Sequence, residues 1–381
     1  MAPSTGGGER ISGGFPGLED RALAGVDHPG YVGANGGAGL EARVVRTDGG
    51  GHGHRPRGQA AGLVHGLPFD PTHGYDLDRL LAVPAPEAPS GFGEFWRALH
   101  AEARGTRVAP RLGRCTETIG GPEAVAVHEV AYTSLGGRRI GGWVTLPADG
   151  QVRQGCVVTH GYDGREAPDP ALLPPGTAAI WPCLRGQGAR SRQPDLPSEA
   201  AAHVLHGIGS RRSYVHGGCA ADVWCAATAL AELVPTSARR LTYAGASLGG
   251  GIGALALPWD ERFVAAVLTV PSFGNHPLRL TLPCTGSGEP VRQHHAVHPE
   301  VADVLAYFDA ATAARHIGIP VHVGAALFDP AVPPPGQFAV HNALPGPKEL
   351  HVLTAGHFPH PGEAAEEADL LAAQRRFLAR A

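Results

Sequence analysis

Six short, almost continuously apolar runs punctuate the chain between residues 155 and 356: GCVVTHG, TAAIWPCL, RRLTYAG, FVAAVLTVP, PVHVGAAL and KELHVLTAG. A strand with one wet face alternates polar and apolar residues. A run without a polar face belongs in a sheet covered on both sides. Stretches with helical period occupy 214–233, 249–257, 300–315, 335–342 and 363–380, and strands alternating with helices join in parallel. The expected fold class is α/β, a mostly parallel, doubly wound sheet. An extension should precede it. FGEFWRALHAEARG (92–105) places Phe92, Phe95, Trp96, Leu99 and Ala103 at helical spacing. AVHEVAYTS and RRIGGWVTLP then flank Gly136-Gly137, a hairpin signal.

Residues 1–68 are different in kind, dominated by Gly, Pro, Arg and His without a sustained period. Such a segment buries too little apolar surface to offset its chain entropy, so a mostly disordered tail is expected before one large domain at 69–381. His52 and His54 in this tail are read as solvated, not as metal ligands. Charged residues make up 17 % of the chain and the formal charge is -4, which speaks against a nucleic-acid partner, since that calls for a basic face. The six cysteines show no Cys-x-x-Cys pair and several lie in apolar runs, as reduced core cysteines do. The N-terminal MAPSTGGGERISGG lacks the apolar core of a secretory signal. No stretch approaches the ~20 apolar residues of a membrane span. A cytoplasmic protein without membrane contact is expected.

The run RRLTYAG continues into GASLGGGIGALAL, a Gly-x-Ser-x-Gly turn between a buried strand and a helix. With 55 glycines in the chain the bare motif means little, but its placement makes it a nucleophile elbow. Ser247 is the candidate nucleophile. Gly245 and Gly249 are required because side chains there would clash with the neighbouring strand and helix. A serine hydroxyl needs a base and an orienting acid, which follow on later strands in this order of motifs. Asp329 ends the strand VHVGAALFD and His357 follows KELHVLTAG, both at carboxyl ends where such sheets build their sites. Asp303 and Asp309 lie within a helical pattern and Glu349 begins a strand, so Asp329 is the better acid. HGYDG (160–164), at an earlier strand end, offers the Tyr162 N–H as an oxyanion donor beside that of Leu248. His160 itself is read as structural.

On these residues the chain resembles the acetyl xylan esterase and cephalosporin C deacetylase family, carbohydrate esterase family 7, an α/β-hydrolase fold. The similarity covers residues 69–381. It rests most on HGYDG, RGQG (185–188), GASLGGG (245–251), AYFDAATAARHI (306–317), LFDPAVPPPGQFAVHNALPGPKEL (327–350) and AGH (355–357). The chain departs from the family signature at Leu248, where the family has glutamine, and at Phe358, where it has glutamate. A backbone N–H survives any residue but proline, so the chemistry should persist while the pocket wall becomes more apolar and a polar contact around the base is lost. Arg185 and Gln187 of the Arg-Gly-Gln element are read as structural support, Arg185 through its fork of donors. The same tripeptide at 57–59 has no strand before it and carries no weight. The resemblance also implies a homo-oligomer, a hexamer, although residues 276–299, at the place of the family's interface extension, are polar.

The reading that follows is a serine carboxylic-ester hydrolase removing acetyl or other short acyl groups from small sugar-like or natural-product esters. No metal or organic cofactor is expected, and the partner is a small acyl ester. Two alternatives stand beside it: a hydrolase of longer acyl esters or thioesters, suggested by Leu248 and Phe358, and a non-catalytic ligand-binding member, disfavoured by retention of all three reactive groups.

Overall fold

The computed structural model describes residues 63–121 and 123–380. The tail read as disordered lies, up to residue 62, outside the described residues, as do His52, His54 and the tripeptide at 57–59. One nine-stranded sheet organises the rest. Its strands are β1 Arg111–Ile119, β2 Val125–Ser134, β3 Arg138–Pro147, β4 Gln154–Val158, β5 Thr177–Pro182, β6 Leu241–Ala246, β7 Phe263–Thr269, β8 Val321–Phe328 and β9 Lys348–Ala355. They lie in the spatial order β1-β2-β3-β5-β4-β6-β7-β8-β9. The pairings from β5 through β4, β6, β7 and β8 to β9 are parallel. Those joining β1, β2, β3 and β5 are antiparallel.

The apolar runs account for this arrangement. Every residue of β4 and β5 is buried, as a strand covered on both faces requires. The main core contains residues of the helices Phe92–Arg104, Val215–Leu233, Leu248–Ala256 and Pro334–Ala343. A second core unites Val127, Trp143, Cys156 and Ala179 with Phe377 and Leu378 of the C-terminal helix Glu363–Arg380. In the helix Phe92–Arg104 the expected face is the packed one: Phe92, Trp96 and Ala103 are buried, and Phe95 and Leu99 pack against the core. The Trp96 indole N–H donates to the Tyr307 carbonyl at 2.8 Å. Gly136 and Gly137 take φ of 77° and 72° in the hairpin turn.

The order β5-β4-β6 sends the chain to one side of β4 and back to the other. The crevice at such a reversal opens between the loops leaving the carboxyl ends of the adjacent strands. Here those loops are HGYDG after β4 and GASLGG after β6.

The structure corrects some expectations and adds to others. Strand β1 was not expected, because RLGRCTETI has no apolar run; eight of its nine residues are exposed and it pairs only with β2 at the sheet edge. Its charged and polar side chains suit an edge that must not recruit another strand. Cys115 on this strand is exposed, whereas the other five cysteines are buried; all six are unpaired thiols. The helical pattern 300–315 is two short helices, Val301–Leu305 and Ala310–Ala314. Asp309 interrupts it because its carboxylate competes for backbone donors: it accepts from the Thr312 amide at 2.8 Å and from the His276 amide at 2.5 Å. The segment 276–299 contains the helices His276–Arg279 and Gly288–Val297.

Asp309 is 1 % exposed, so Asp309→Ala strands two buried N–H groups. The expected loss is about 2–3 kcal/mol of unfolding free energy, read as a lower urea midpoint at unchanged slope.

Candidate active site

Strand β6 ends at Ala246 and the helix Leu248–Ala256 begins one residue later, which forces Ser247 into φ 53°, ψ -114°. A non-glycine residue held there costs about 1–3 kcal/mol, so the surroundings must impose it. The Ser247 amide donates to Thr269 O at 2.9 Å, and the Ser247 carbonyl accepts from Gly251 N at 3.0 Å and Ser272 N at 3.1 Å. The flanking glycines allow the close approach. A Cβ on Gly245 would lie 2.6 Å from Thr159 Oγ1, and one on Gly249 would lie 2.5 Å from the same atom. The Thr159 hydroxyl is hydrogen-bonded to Tyr243 Oη at 2.6 Å, and the Tyr243 hydroxyl donates to Gly249 O at 2.6 Å.

His357 Nε2 stands 3.1 Å from Ser247 Oγ, and its Nδ1 stands 2.9 Å from Asp329 Oδ2. A carboxylate only accepts, so Nδ1 carries the proton in neutral His357 and Nε2 is left as acceptor toward the serine hydroxyl. Asp329 is fully buried. Its Oδ1 accepts from the Ala331 and Val332 amides, each at 2.9 Å, and its Oδ2 also accepts from Gln337 Nε2 at 2.9 Å. Gln337 is held in turn by the Ala326 amide, which donates to its Oε1 at 2.8 Å. The rival acids are engaged elsewhere or distant in role: Asp309 caps a helix, Glu349 pairs with Arg380 at 3.0 Å, and Asp303 is exposed.

The HGYDG loop faces the serine, since a Cβ on Gly161 would lie 3.5 Å from Ser247 Cβ. Among the described residues neither the Tyr162 nor the Leu248 amide donates to a backbone carbonyl outside its own element. Leu248 opens its helix, where N–H groups have no intrahelical partner. The Tyr162 hydroxyl lies 3.3 Å from His203 Nδ1 and 3.4 Å from His216 Nε2. His160 accepts the Leu184 amide on Nε2 at 2.9 Å and meets Gly161 O through Nδ1 at 2.6 Å. Burial pushes it down to about 3. It is a neutral tie between two loops.

Arg185 grips Asp222 with two hydrogen bonds, Nε to Oδ2 at 3.0 Å and Nη2 to Oδ1 at 2.7 Å, and its amide adds a third at 2.9 Å. Gln187 is fully buried and donates to Ser198 O at 3.1 Å. This loop packs against HGYDG, where Gly164 touches Gly188 backbone to backbone.

A family model described as acetyl xylan esterase (AXE1) matches residues 76–372. The chain belongs to the acetyl xylan esterase family. It is therefore a carboxylic-ester hydrolase, of the serine acetyl-esterase kind, and its substrate is a small ester. The acetyl xylan esterase from Paenibacillus sp. R4 is similar in structure, with a TM-score of 0.68 at 23 % identity over 80 % of this chain and 99 % of the other. Acetyl xylan esterase 1 from Thermoanaerobacterium sp. JW/SL YS485 gives a TM-score of 0.69 at 20 % identity over 81 % and 99 %. These likenesses show the α/β-hydrolase fold. Among the described residues no group of three or more His, Cys, Asp or Glu could hold a metal ion, and no described helix is long and apolar enough to cross a membrane.

Within this acetyl xylan esterase family member the two departures act differently from each other, and only Leu248 departs from expectation. The Leu248 side chain is fully buried in the main core, so it packs behind the nucleophile and forms no exposed pocket wall. Phe358 packs its ring 5.0 Å from that of Phe328, the residue before Asp329, giving aromatic support where a carboxylate would give a polar contact. Sequence reasoning missed Thr159, Tyr243, Gln337 and Gly356. A Cβ on Gly356 would collide with Asp329 Oδ2. Gln337 and Gly356 lie inside elements that carry the resemblance, residues 327–350 and 355–357, but neither role is visible in the sequence.

Desolvation pulls the His357 pKa down, but the Asp329 charge and hydrogen bond outweigh it, and the result lies above the ordinary histidine value of 6.5. The imidazole accepts a proton only when neutral, so activity should rise with pH through this raised value. The acid limb of kcat/KM is expected above pH 6.5. In Asp329→Asn it should move to lower pH, with kcat lower by on the order of 10⁴-fold.

Proposed function

We propose that the protein removes acetyl, or a comparably short acyl group, from small esters through Ser247, His357 and Asp329. His357 Nε2 takes the Ser247 proton as Oγ attacks the acyl carbon. The charge that develops on the carbonyl oxygen is met by the Tyr162 and Leu248 amides, beside the positive end of the helix Leu248–Ala256. Asp329 holds the imidazolium. His357 then protonates the departing alcohol, and a water that it deprotonates releases the acetyl group from the enzyme. The observation that carries this reading is the hydrogen-bonded line from Ser247 Oγ through His357 to a fully buried Asp329. The names of the two similar structures support an acetylated carbohydrate as the substrate.

The reading has further parts. Residues 69–381 form the catalytic domain and 1–68 an appended tail, supported by the family match beginning at residue 76. A reducing, cytoplasmic compartment is supported by six unpaired thiols. A hexamer rests on the family resemblance alone.

With 4-nitrophenyl acetate, Ser247→Ala should lower kcat/KM by at least about 10³-fold. An unchanged rate would sink the proposal. Across esters from acetyl to octanoyl the wild-type maximum is expected at two or three carbons, with acetylated xylo-oligosaccharides and cephalosporin C testing the alcohol portion of the substrate. A maximum at six carbons or longer would overturn the short-acyl preference.

A further inference from the structure

Gln337 is a polar residue in an apolar place. It lies on the helix Pro334–Ala343 and is fully buried, and Phe338, Ala339 and Val340 after it belong to the main core. A buried side-chain amide is unfavourable unless its groups are met. Here they all are: Oε1 accepts from the Ala326 amide at 2.8 Å, and Nε2 donates to Val332 O at 2.7 Å and to Asp329 Oδ2 at 2.9 Å. The Ala326 N–H needs an acceptor, so the network fixes which end of the amide meets the acid.

The contact with Asp329 falls on the oxygen that holds His357. Each carboxylate oxygen offers two lone pairs. Those of Oδ1 are taken by the Ala331 and Val332 amides, and those of Oδ2 by Gln337 Nε2 and His357 Nδ1. The Gly356 backbone closes a further side of Oδ2, where a Cβ would collide. One position is left for the imidazole, and it shares its acceptor oxygen with a neutral donor.

The other groups around the acid do not supply this. Among the described residues His357 is the only basic side chain paired with Asp329. His73, on the segment before the first helix, feels the Asp329 charge, but burial holds it below its ordinary value and it is neutral at neutral pH. Burial likewise pushes the Cys284 thiol up, so it keeps its proton. Arg279, which lines a small cavity with Val332, lies over the Phe273 ring.

A donor on Oδ2 draws part of the carboxylate charge away from the imidazole. We propose that Gln337 is a positioning residue for the reaction: it confines His357 to one lone pair of Asp329 Oδ2 and tempers the charge there, so that the imidazole stays free to take the Ser247 proton at lower pH than it otherwise would. The proposal rests on the serine-esterase reading above.

The test is the pH profile of kcat/KM with 4-nitrophenyl acetate. Gln337→Met removes the donor, while the two amides on Oδ1 still hold the carboxylate. The acid limb should move up by about 0.5–1 pH unit, so that the rate below the limb falls about 3- to 10-fold and the rate on the plateau above it falls less. That direction is opposite to the one expected of Asp329→Asn. Gln337→Glu keeps the shape, and beside the Asp329 charge its carboxyl retains a proton to donate, so its limb should return toward that of the wild type. A loss equal at every pH, a limb that stays or moves down in Gln337→Met, or a limb in Gln337→Glu displaced as far as in Gln337→Met would overturn the proposal. If the variants fail to fold, the wild type decides. With its glutamine side-chain amides isotope-labelled, the Gln337 signal in NMR should shift with pH at the His357 midpoint, and a signal indifferent to that titration would overturn the proposal. Ser247→Ala at the wild-type rate would instead sink the esterase reading itself, whatever Gln337 does.

Discussion

The backbone of Ser247, at φ 53° and ψ -114°, is the constraint around which the site is assembled. A serine on an ordinary strand or helix would present its hydroxyl along a surface shared with its neighbours. The sharp turn lifts it alone to the end of the sheet. Holding a non-glycine residue there requires that nothing relax around it. Three backbone hydrogen bonds to Thr269, Gly251 and Ser272 and the close contact of Gly245 and Gly249 with Thr159 provide this. The same packing ties the elbow to the loop after β4, because Thr159 precedes His160 and the Tyr162 amide. The turn at Ser247 and the HGYDG loop are positioned together by one set of contacts.

A second requirement is electrostatic. Asp329 is a fully buried carboxylate, which is unfavourable unless its lone pairs are met. Two amides, an amide side chain and the imidazole meet them. The acid is therefore rigid, and it raises the affinity of His357 for a proton against the desolvation that opposes it. Preorganised dipoles of this kind need not reorganise when charge develops, which is where such sites obtain most of their acceleration.

The parts of this arrangement differ in how far they could be read from the chain. Continuous apolar runs identified the parallel strands because burial on both faces leaves no polar alternation, and the strand-to-helix placement of GASLGG separated Ser247 from the other serines. Asp329 and His357 were legible as residues at strand ends. Strand β1 was not, because an exposed edge imposes no hydrophobic pattern, and Asp309 broke a helix that periodicity alone would continue. Gln337 and Tyr243 were invisible for another reason. Each acts through a contact set by tertiary packing, Gln337 from a helix onto the acid and Tyr243 from inside a strand onto Gly249. Leu248 shows the limit of a motif comparison: the substituted side chain turns into the core.

The central claim is that Ser247 alone is activated among the serines of the chain. A fluorophosphonate reacts covalently with a serine made nucleophilic by a neighbouring base, so the direct measurement is to label the wild-type protein, digest it and locate the adduct by mass spectrometry. The account predicts one adduct per chain, on Ser247. No adduct, or one on a different serine, would contradict it.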